Sequence, residues 1–458
     1  MNVIEEALEK ATDTKTCVIG AGATESAAKM FHGIFPEAKR AIVVSDPRTR
    51  KVAGARVVDL LKASGIEVAE HVICPDGSWF HATYDKVEEV RDAIRSCNPT
   101  IPKSNNQTIP IAVGSGTVND LVKRGSEEAG LRYMVVGTAA SMDGYTSYGA
   151  SITKDGIKQT MPCKAPLGCI VDSAVAAAAP KEMVASGYAD LIAKVPAGAD
   201  WILADALGSE AIHADAWRFV QGPLRDSLKD PSACAAGDVG ETEKLCSGLV
   251  MSGFAMQAMG SSRPASGTEH QFSHYWDMED LCFEGRPVSH GFKVGIGTLA
   301  STATIEFLLE QDLANLDVEA AVAKWWPTFE DLKATFPQVY GNRPAHIARA
   351  EGEMAGKYVP PEVLRKELAF IRTNWRELSA KMKAQILSFD EVRAALKQVG
   401  APYEPEMIGV SRARFRETFA GVPYMRNRYF SLDLVSRLGL LPDLLERLFG
   451  RGGVWEVR

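Results

Sequence analysis

The chain has 458 residues, of which 46% are apolar and 24% charged, and its formal net charge is -7. That is the balance of a globular protein long enough for two or three domains, and it excludes the basic stripe that nucleic acid requires. No apolar run of membrane-spanning length stands out, and the acidic amphipathic start, Met1 to Lys10, is a helix rather than a signal peptide. Eight Cys without a Cys-x-x-Cys pair argue against a thiolate zinc site or a disulfide framework, and for a reduced, cytoplasmic setting.

From residue 16 to about 172, short apolar runs alternate with helical patterns. Strands are expected at 16–20, 40–45, 67–73, 109–113, 133–136 and 167–172, with a β-hairpin over 147–162 turning at Lys154-Asp155-Gly156. Helices are expected after Gly20, over about 47–64 with Asp46 as N-cap and Pro47 at its first position, over 84–95, and from Gly116 to about Gly130. Alternating strands and helices imply a mostly parallel α/β sheet. The alanine-rich stretch 174–179 and Pro180 mark a boundary, so the domains read as 1–178 and 179–458. Beyond it the period is helical almost throughout, with breaks expected near Gly208, Gly222-Pro223, Gly237 to Gly240, Gly285 to Pro287, Pro327, Pro337 to Pro344 and Pro360-Pro361. A cleft between an α/β and an all-helical domain is a preferred place for a ligand.

Gly114-Ser115-Gly116 joins a strand to a helix. Glycine there lets the backbone approach a pyrophosphate at the helix N-terminus, although a plain βα turn has the same pattern. Gly20-Ala21-Gly22 reads as a turn only, because Glu25 stands where a dinucleotide fingerprint needs Gly or Ala. Asp46 closes the second strand, the position that hydrogen-bonds a ribose in NAD-binding folds, and is equally a good N-cap. Arg48, Arg50 and Lys51 follow within a turn and could take a 2′-phosphate, which leaves NADP open. Thr138 to Ser147, small and polar, follows the fifth strand at the end where open sheets bind ligands. Within it, Asp143-Gly144 is a site residue or a turn.

Three of the eight His fall within twenty-one positions: His270, His274 and His290. His270 and His274 are four apart, which puts them on one helix face. Asp190 is a lone acid in a stretch that otherwise reads as a buried helix. One carboxylate and two neutral imidazoles are a common catalytic metal set; the alternative is satisfied helix histidines and a capping Asp. The donors suit zinc, nickel or iron. His274 would titrate near neutrality, as acid–base work requires. Lys194, Arg263 and Lys293 are the candidate cations for a phosphate ester.

Five motifs occur in order: Gly-Ser-Gly-Thr-Val-Asn-Asp at 114–120, Thr-Ala-Ala-Ser-x-Asp-Gly at 138–144, Gly-x-x-Asp-Leu-x-Ala-Lys at 187–194, Ser-Arg-Pro-Ala-Ser-Gly-x-Glu-His at 262–270 and His-Gly at 290–291. Together they resemble the sn-glycerol-1-phosphate dehydrogenase family, within the metal-dependent alcohol dehydrogenase and dehydroquinate synthase-like superfamily. The resemblance covers about 15–310 and resumes at Met425-Arg-Asn-Arg-Tyr-Phe-Ser-Leu-Asp-Leu434. Ala189 and Ser115 depart from the family's usual glycines, and about 222–240 and 310–420 do not align with it.

The resemblance implies a dehydroquinate synthase-like fold: a Rossmann-like α/β domain followed by an all-α domain. It implies Asp190, His270 and His290 as ligands of one divalent metal, zinc or in some bacteria nickel. His274, Asp143 and Asp190 become the catalytic and substrate contacts. Gly114, Ser115, Gly116, Thr117, Val118, Thr138, Ala139, Ala140, Ser141 and Ser147 would hold NAD or NADP. The activity implied is reversible reduction of dihydroxyacetone phosphate at C2 to sn-glycerol 1-phosphate, a step of phospholipid metabolism, in a cytoplasmic homo-oligomer without nucleic-acid or membrane partners. The alternatives are a glycerol or other polyol dehydrogenase, a sugar-phosphate cyclase of the dehydroquinate synthase kind, and a non-catalytic nucleotide-binding scaffold.

Overall fold

A computed structural model describes residues 3–98, 107–155, 157–325, 327–341 and 343–457. They form two compact units. The first comprises 1–191, 214–265 and 398–400, and the second 192–213, 266–397 and 401–458.

The first unit is built on six parallel strands: β1 (Thr16–Gly20), β2 (Arg40–Ser45), β3 (Glu67–Val72), β4 (Thr108–Gly114), β5 (Met134–Gly137) and, after a hairpin of β6 (Ala150–Lys154) and β7 (Ile157–Met161), β8 (Gly168–Asp172). The spatial order is β1-β8-β5-β4-β2-β3. β2 to β3 steps outward in one direction, and β4, β5 and β8 step in the other. The order therefore reverses between β2 and β4, which pair in parallel from Arg40↔Thr108 to Val44↔Ala112. The crevice beyond the carboxyl ends of these two strands is the topological switch point, where open α/β sheets take ligands. Ile111, Val113, Val136 and Ile170 pack with Val43, Phe31, Val57 and Leu61 in one core, the near-continuous apolar strands expected of a parallel sheet.

Asp46 caps the helix after β2, accepting the N–H groups of Arg48 (2.7 Å) and Thr49 (3.1 Å). That helix contains a π-helical turn, Arg50–Gly54, which the sequence pattern does not reveal. The hairpin pairs Ala150 with Met161 and Lys154 with Ile157; Asp155 has φ 52°, and the expected turn residue Gly156 lies outside the described residues.

One expected break is absent: Pro223 lies inside the helix Ala214–Ser227. The break expected at Pro337 to Pro344 falls after Tyr340, with Pro337 itself still inside the helix Phe329–Tyr340. Packing outweighs the missing N–H where the helix buries Phe219, Val220 and Leu224 on either side of Pro223. At the expected Gly285 to Pro287 break the chain forms a two-residue antiparallel ladder, Cys282–Phe283 with Arg286–Pro287.

The second unit is helical. Its helix His290–Leu309 is long and apolar enough to cross a membrane, contrary to the reading of the sequence, but 83% of its most apolar window is buried in the protein, as in a core helix. The helix Thr268–Asp277 turns Phe272 and Trp276 toward Phe415 and Phe419, with Phe272 and Phe419 ring centroids 4.8 Å apart. Phe449 and Trp455 extend this aromatic cluster. The C-terminal segment thus forms the back wall of the helix that carries His270 and His274.

Candidate active site

In the first unit, β4 and β5 end side by side, and their loops are tied together. Thr138 donates its N–H to Gly114 O at 3.2 Å, and Ser115 Oγ and Ser141 Oγ are 2.5 Å apart. Tyr145 Oη donates to Ala139 O at 2.9 Å. A Cβ on Gly114 would overlap Val118, so glycine is required for this close turn into the helix Gly116–Glu128. Lys123, on that helix, is fully buried and donates to Gly144 O (2.9 Å), Ser147 O (3.0 Å) and Gly149 O (3.0 Å). One ammonium thereby shapes the whole loop. Asp46, Gly114 to Val118, Thr138 to Ser141 and Ser147 all lie at the carboxyl end of the sheet, with Asp46 ending β2 and Gly114 ending β4 on the two sides of the switch point.

Gly20 and Gly22 form a turn, as read from the sequence. Asp172 accepts the N–H groups of Gly22 (3.1 Å) and Thr24 (3.0 Å). Burial alone would raise the Asp172 carboxyl, but these amide bonds outweigh it and hold it below its ordinary range. Arg50 is committed to Glu70 at 2.8 Å, so of the three cations offered for a 2′-phosphate it is already paired.

The helix Lys181–Ile192 brings Ser186, Gly187 and Asp190 to one face by their spacing. Ser186 Oγ donates to Ser141 O at 3.3 Å, and a Cβ on Gly187 would collide with Ala140 O. Asp190 Oδ2 accepts the Asp143 N–H at 3.2 Å. Asp143 Oδ2 in turn accepts from Ser252 Oγ at 2.8 Å. The helix Val239–Met259 also reaches the loop through Gln257 Nε2 on Thr146 O (2.8 Å) and Thr146 Oγ1 on Val250 O (2.7 Å). The structure thus brings Asp143, Asp190 and the expected dinucleotide loop together.

In the second unit, Gly267 begins the helix Thr268–Asp277. A Cβ there would lie 2.7 Å from Asp200 Oδ2 and 2.8 Å from Glu269 Oε2, so two buried carboxylates crowd this turn. Asp200 Oδ2 accepts the Thr268 N–H at 2.8 Å. Glu269 Oε1 lies 2.8 Å from His270 Nδ1. His290 opens its helix behind the N-cap Ser289, and its Nδ1 lies 3.4 Å from Ser273 Oγ. The His270 and His290 rings are 5.4 Å apart and the His270 and His274 rings 6.4 Å. Nδ1 of both His270 and His290 thus meets a neighbouring side chain, the kind of contact that orients metal-binding imidazoles.

His274 does not titrate near neutrality. Burial draws it down to about 4, against the opposing pull of Asp277, whose carboxylate is 3.8 Å from Nδ1. Lys293 is ion-paired with Asp277, which removes it from the phosphate candidates. Lys194 is buried at the start of the helix Lys194–Ala206, and Arg263 is buried in the turn Arg263–Ala265. Reading the sequence overlooked Glu269, Ser252, Lys123 and Asp200. A Lys after Leu121-Val122 and an Asp among Ala199 and Trp201 are charges on apolar faces, and that was the available signal.

Residues 18–180 match the family described as iron-containing alcohol dehydrogenase. The glycerol dehydrogenase of Schizosaccharomyces pombe has the same fold, with a TM-score of 0.58 over 95% of this chain and 91% of that one at 15% identity. The fold class is therefore that of the iron-containing alcohol dehydrogenase and dehydroquinate synthase-like dehydrogenases. A glycerol-1-phosphate dehydrogenase [NAD(P)+] of Bacillus licheniformis is 28% identical over 416 residues, 91% of this chain and 87% of its own. Its counterpart in Bacillus subtilis (strain 168) is 34% identical over 275 residues, 60% of this chain and 68% of its own. The chain belongs to the glycerol-1-phosphate dehydrogenase family.

Proposed function

We propose that this chain catalyses the NAD(P)-dependent reduction of dihydroxyacetone phosphate to sn-glycerol 1-phosphate, with one divalent ion held by Asp190, His270 and His290. The observation that carries the reading is the pair of histidines whose Nδ1 atoms are taken by Glu269 and Ser273. One carboxylate and two such imidazoles fit a divalent zinc, nickel or iron ion.

When bound, the ion would polarise the C2 carbonyl as a Lewis acid, and the reduced nicotinamide would supply the hydride. The chain supplies the rest. Gly114 to Val118 and Thr138 to Ser141 receive the dinucleotide on the tied loops of β4 and β5. Asp143, fixed by Ser252, and His274 contact the substrate. His274 is neutral at pH 7, so it donates a hydrogen bond to the C2 oxygen and passes on one solvent proton as the alcohol forms. Asp46 has one carboxylate oxygen engaged in capping and orients the other toward a ribose hydroxyl. The protein works in the cytoplasm on a small phosphorylated substrate, as a homo-oligomer.

Loss of absorbance at 340 nm tests this directly. Dihydroxyacetone phosphate should be turned over far faster than dihydroxyacetone, chelator should abolish the rate, and added divalent ion should restore it. The product should resist a dehydrogenase specific for the 3-phosphate enantiomer. Equal rates on the two ketones would favour a polyol dehydrogenase, and full activity after complete metal removal would refute the ligand set.

A further inference from the structure

Two half-buried arginines in the second unit each have a buried Nε with no hydrogen-bond partner among the described residues. Arg349 lies on the helix Pro344–Ala355, and Arg426 follows the short turn Val422–Tyr424. The Pro344–Ala355 helix is pinned to the end of the His270–His274 helix at two points. Arg343 Nη1 donates to Glu279 Oε1 at 2.6 Å, and His346 Nε2 lies 3.0 Å from Met278 O. Arg349 is three residues past His346, on the same face. Asn427 donates its N–H to Glu353 Oε2 at 2.7 Å, which ties the segment carrying Arg426 to the same helix. The turn Val422–Tyr424 packs on both helices.

The Arg426 charge acts on both Arg349 and His274. Arg349 is lowered first by burial and then by the Arg426 charge. Arg426 is also among the charges that hold His274 neutral. Glu353, the carboxylate that acts on Arg349, accepts the Asn427 N–H. Like charges brought together and partly desolvated are unfavourable unless an anion joins them. Two guanidinium forks match the oxygens of a phosphate.

We infer that Arg349 and Arg426 form the phosphate subsite beside His274, and so select a phosphorylated three-carbon ketone over its unphosphorylated counterpart. This rests on the proposed reaction for its substrate, but the anion site itself does not. Of the cations named from sequence, Lys293 is already paired with Asp277. The C-terminal segment that resembles the family tail thereby acquires a role in recognition.

Calorimetry of the full-length protein with inorganic phosphate tests the site without turnover. Wild type should bind phosphate, and Arg349→Gln and Arg426→Gln should each weaken it by about tenfold or more, the scale of a charge-assisted hydrogen-bonded pair. Both variants should raise KM for dihydroxyacetone phosphate while leaving kcat/KM for dihydroxyacetone within about twofold. Arg426→Lys, which keeps charge but loses the fork, should fall between and serves if Arg426→Gln does not fold. Phosphate binding that is absent in wild type or unchanged in the variants overturns the subsite. A wild type that uses both ketones equally overturns the proposed reaction, and the calorimetry still decides the subsite.

Discussion

Asp200 and Ser431, 231 positions apart, are joined twice: Asp200 Oδ1 accepts the Ser431 N–H at 2.7 Å and its Oγ–H at 2.6 Å. The other oxygen of the same carboxylate holds the Thr268 N–H. One buried side chain therefore ties the C-terminal segment to the first turn of the helix that carries His270. Ser431→Ala should cost about 1–2 kcal/mol and Asp200→Ala about 2–4 kcal/mol, because the latter leaves several buried donors unpaired. Urea denaturation measures both. Competition with a chromogenic chelator should show weaker metal retention in each, by about tenfold if the turn shifts His270. Unchanged retention would confine Asp200 to a structural role.

Gly187 lies against the loop Thr138 to Ser141, where an added Cβ would collide with Ala140 O. Gly187→Ala should destabilise the protein by about 2–3 kcal/mol through forced separation at Ala140 and weaken NADH binding, read by fluorescence titration. Gly33→Ala is the matched control, since a Cβ at Gly33 meets nothing within 4 Å. That change should be neutral or stabilising by up to about 1 kcal/mol, as Ala is the better helix former.

Lys123→Met removes the donor shared by three buried carbonyls of the loop 144–149. We expect a loss of roughly 2–4 kcal/mol, with dinucleotide affinity falling more than metal retention. Thermal melts with and without NADH separate the two effects. A melt unchanged from wild type would show that the loop holds its shape without the ammonium.

His274 sets a pH signature. Burial lowers it from its ordinary 6.5 to about 4. Below pH 6.5 the unfolded chain takes up a proton that the folded protein refuses until about 4. The stability associated with the neutral ring is thus complete above 6.5 and is lost as pH falls toward 4. With its side chain 31% exposed, the effect discounts to about 1–2 kcal/mol. His274→Asn should flatten the acid side of the stability curve by that amount, in metal-free protein, and should lower turnover sharply while leaving metal content unchanged.

The six parallel strands, the hairpin register region, the Asp46 cap and the shared face of His270 and His274 were legible along the chain, because each follows from neighbours within a few residues: apolar alternation, a capping oxygen, a spacing of four. The π-turn at Arg50–Gly54 and the intact helix through Pro223 were not, because packing beyond the segment overrides local preference there. Tertiary structure alone decided that the sheet reverses between β2 and β4, which sets Asp46 and Gly114 on two sides of one crevice. It alone paired Glu269 with His270, spent Arg50 and Lys293 on ion pairs, and lowered His274 by burial. It also brought the Arg426 charge to bear on Arg349. A charge's availability depends on what it meets across the fold, and no spacing along the chain encodes that.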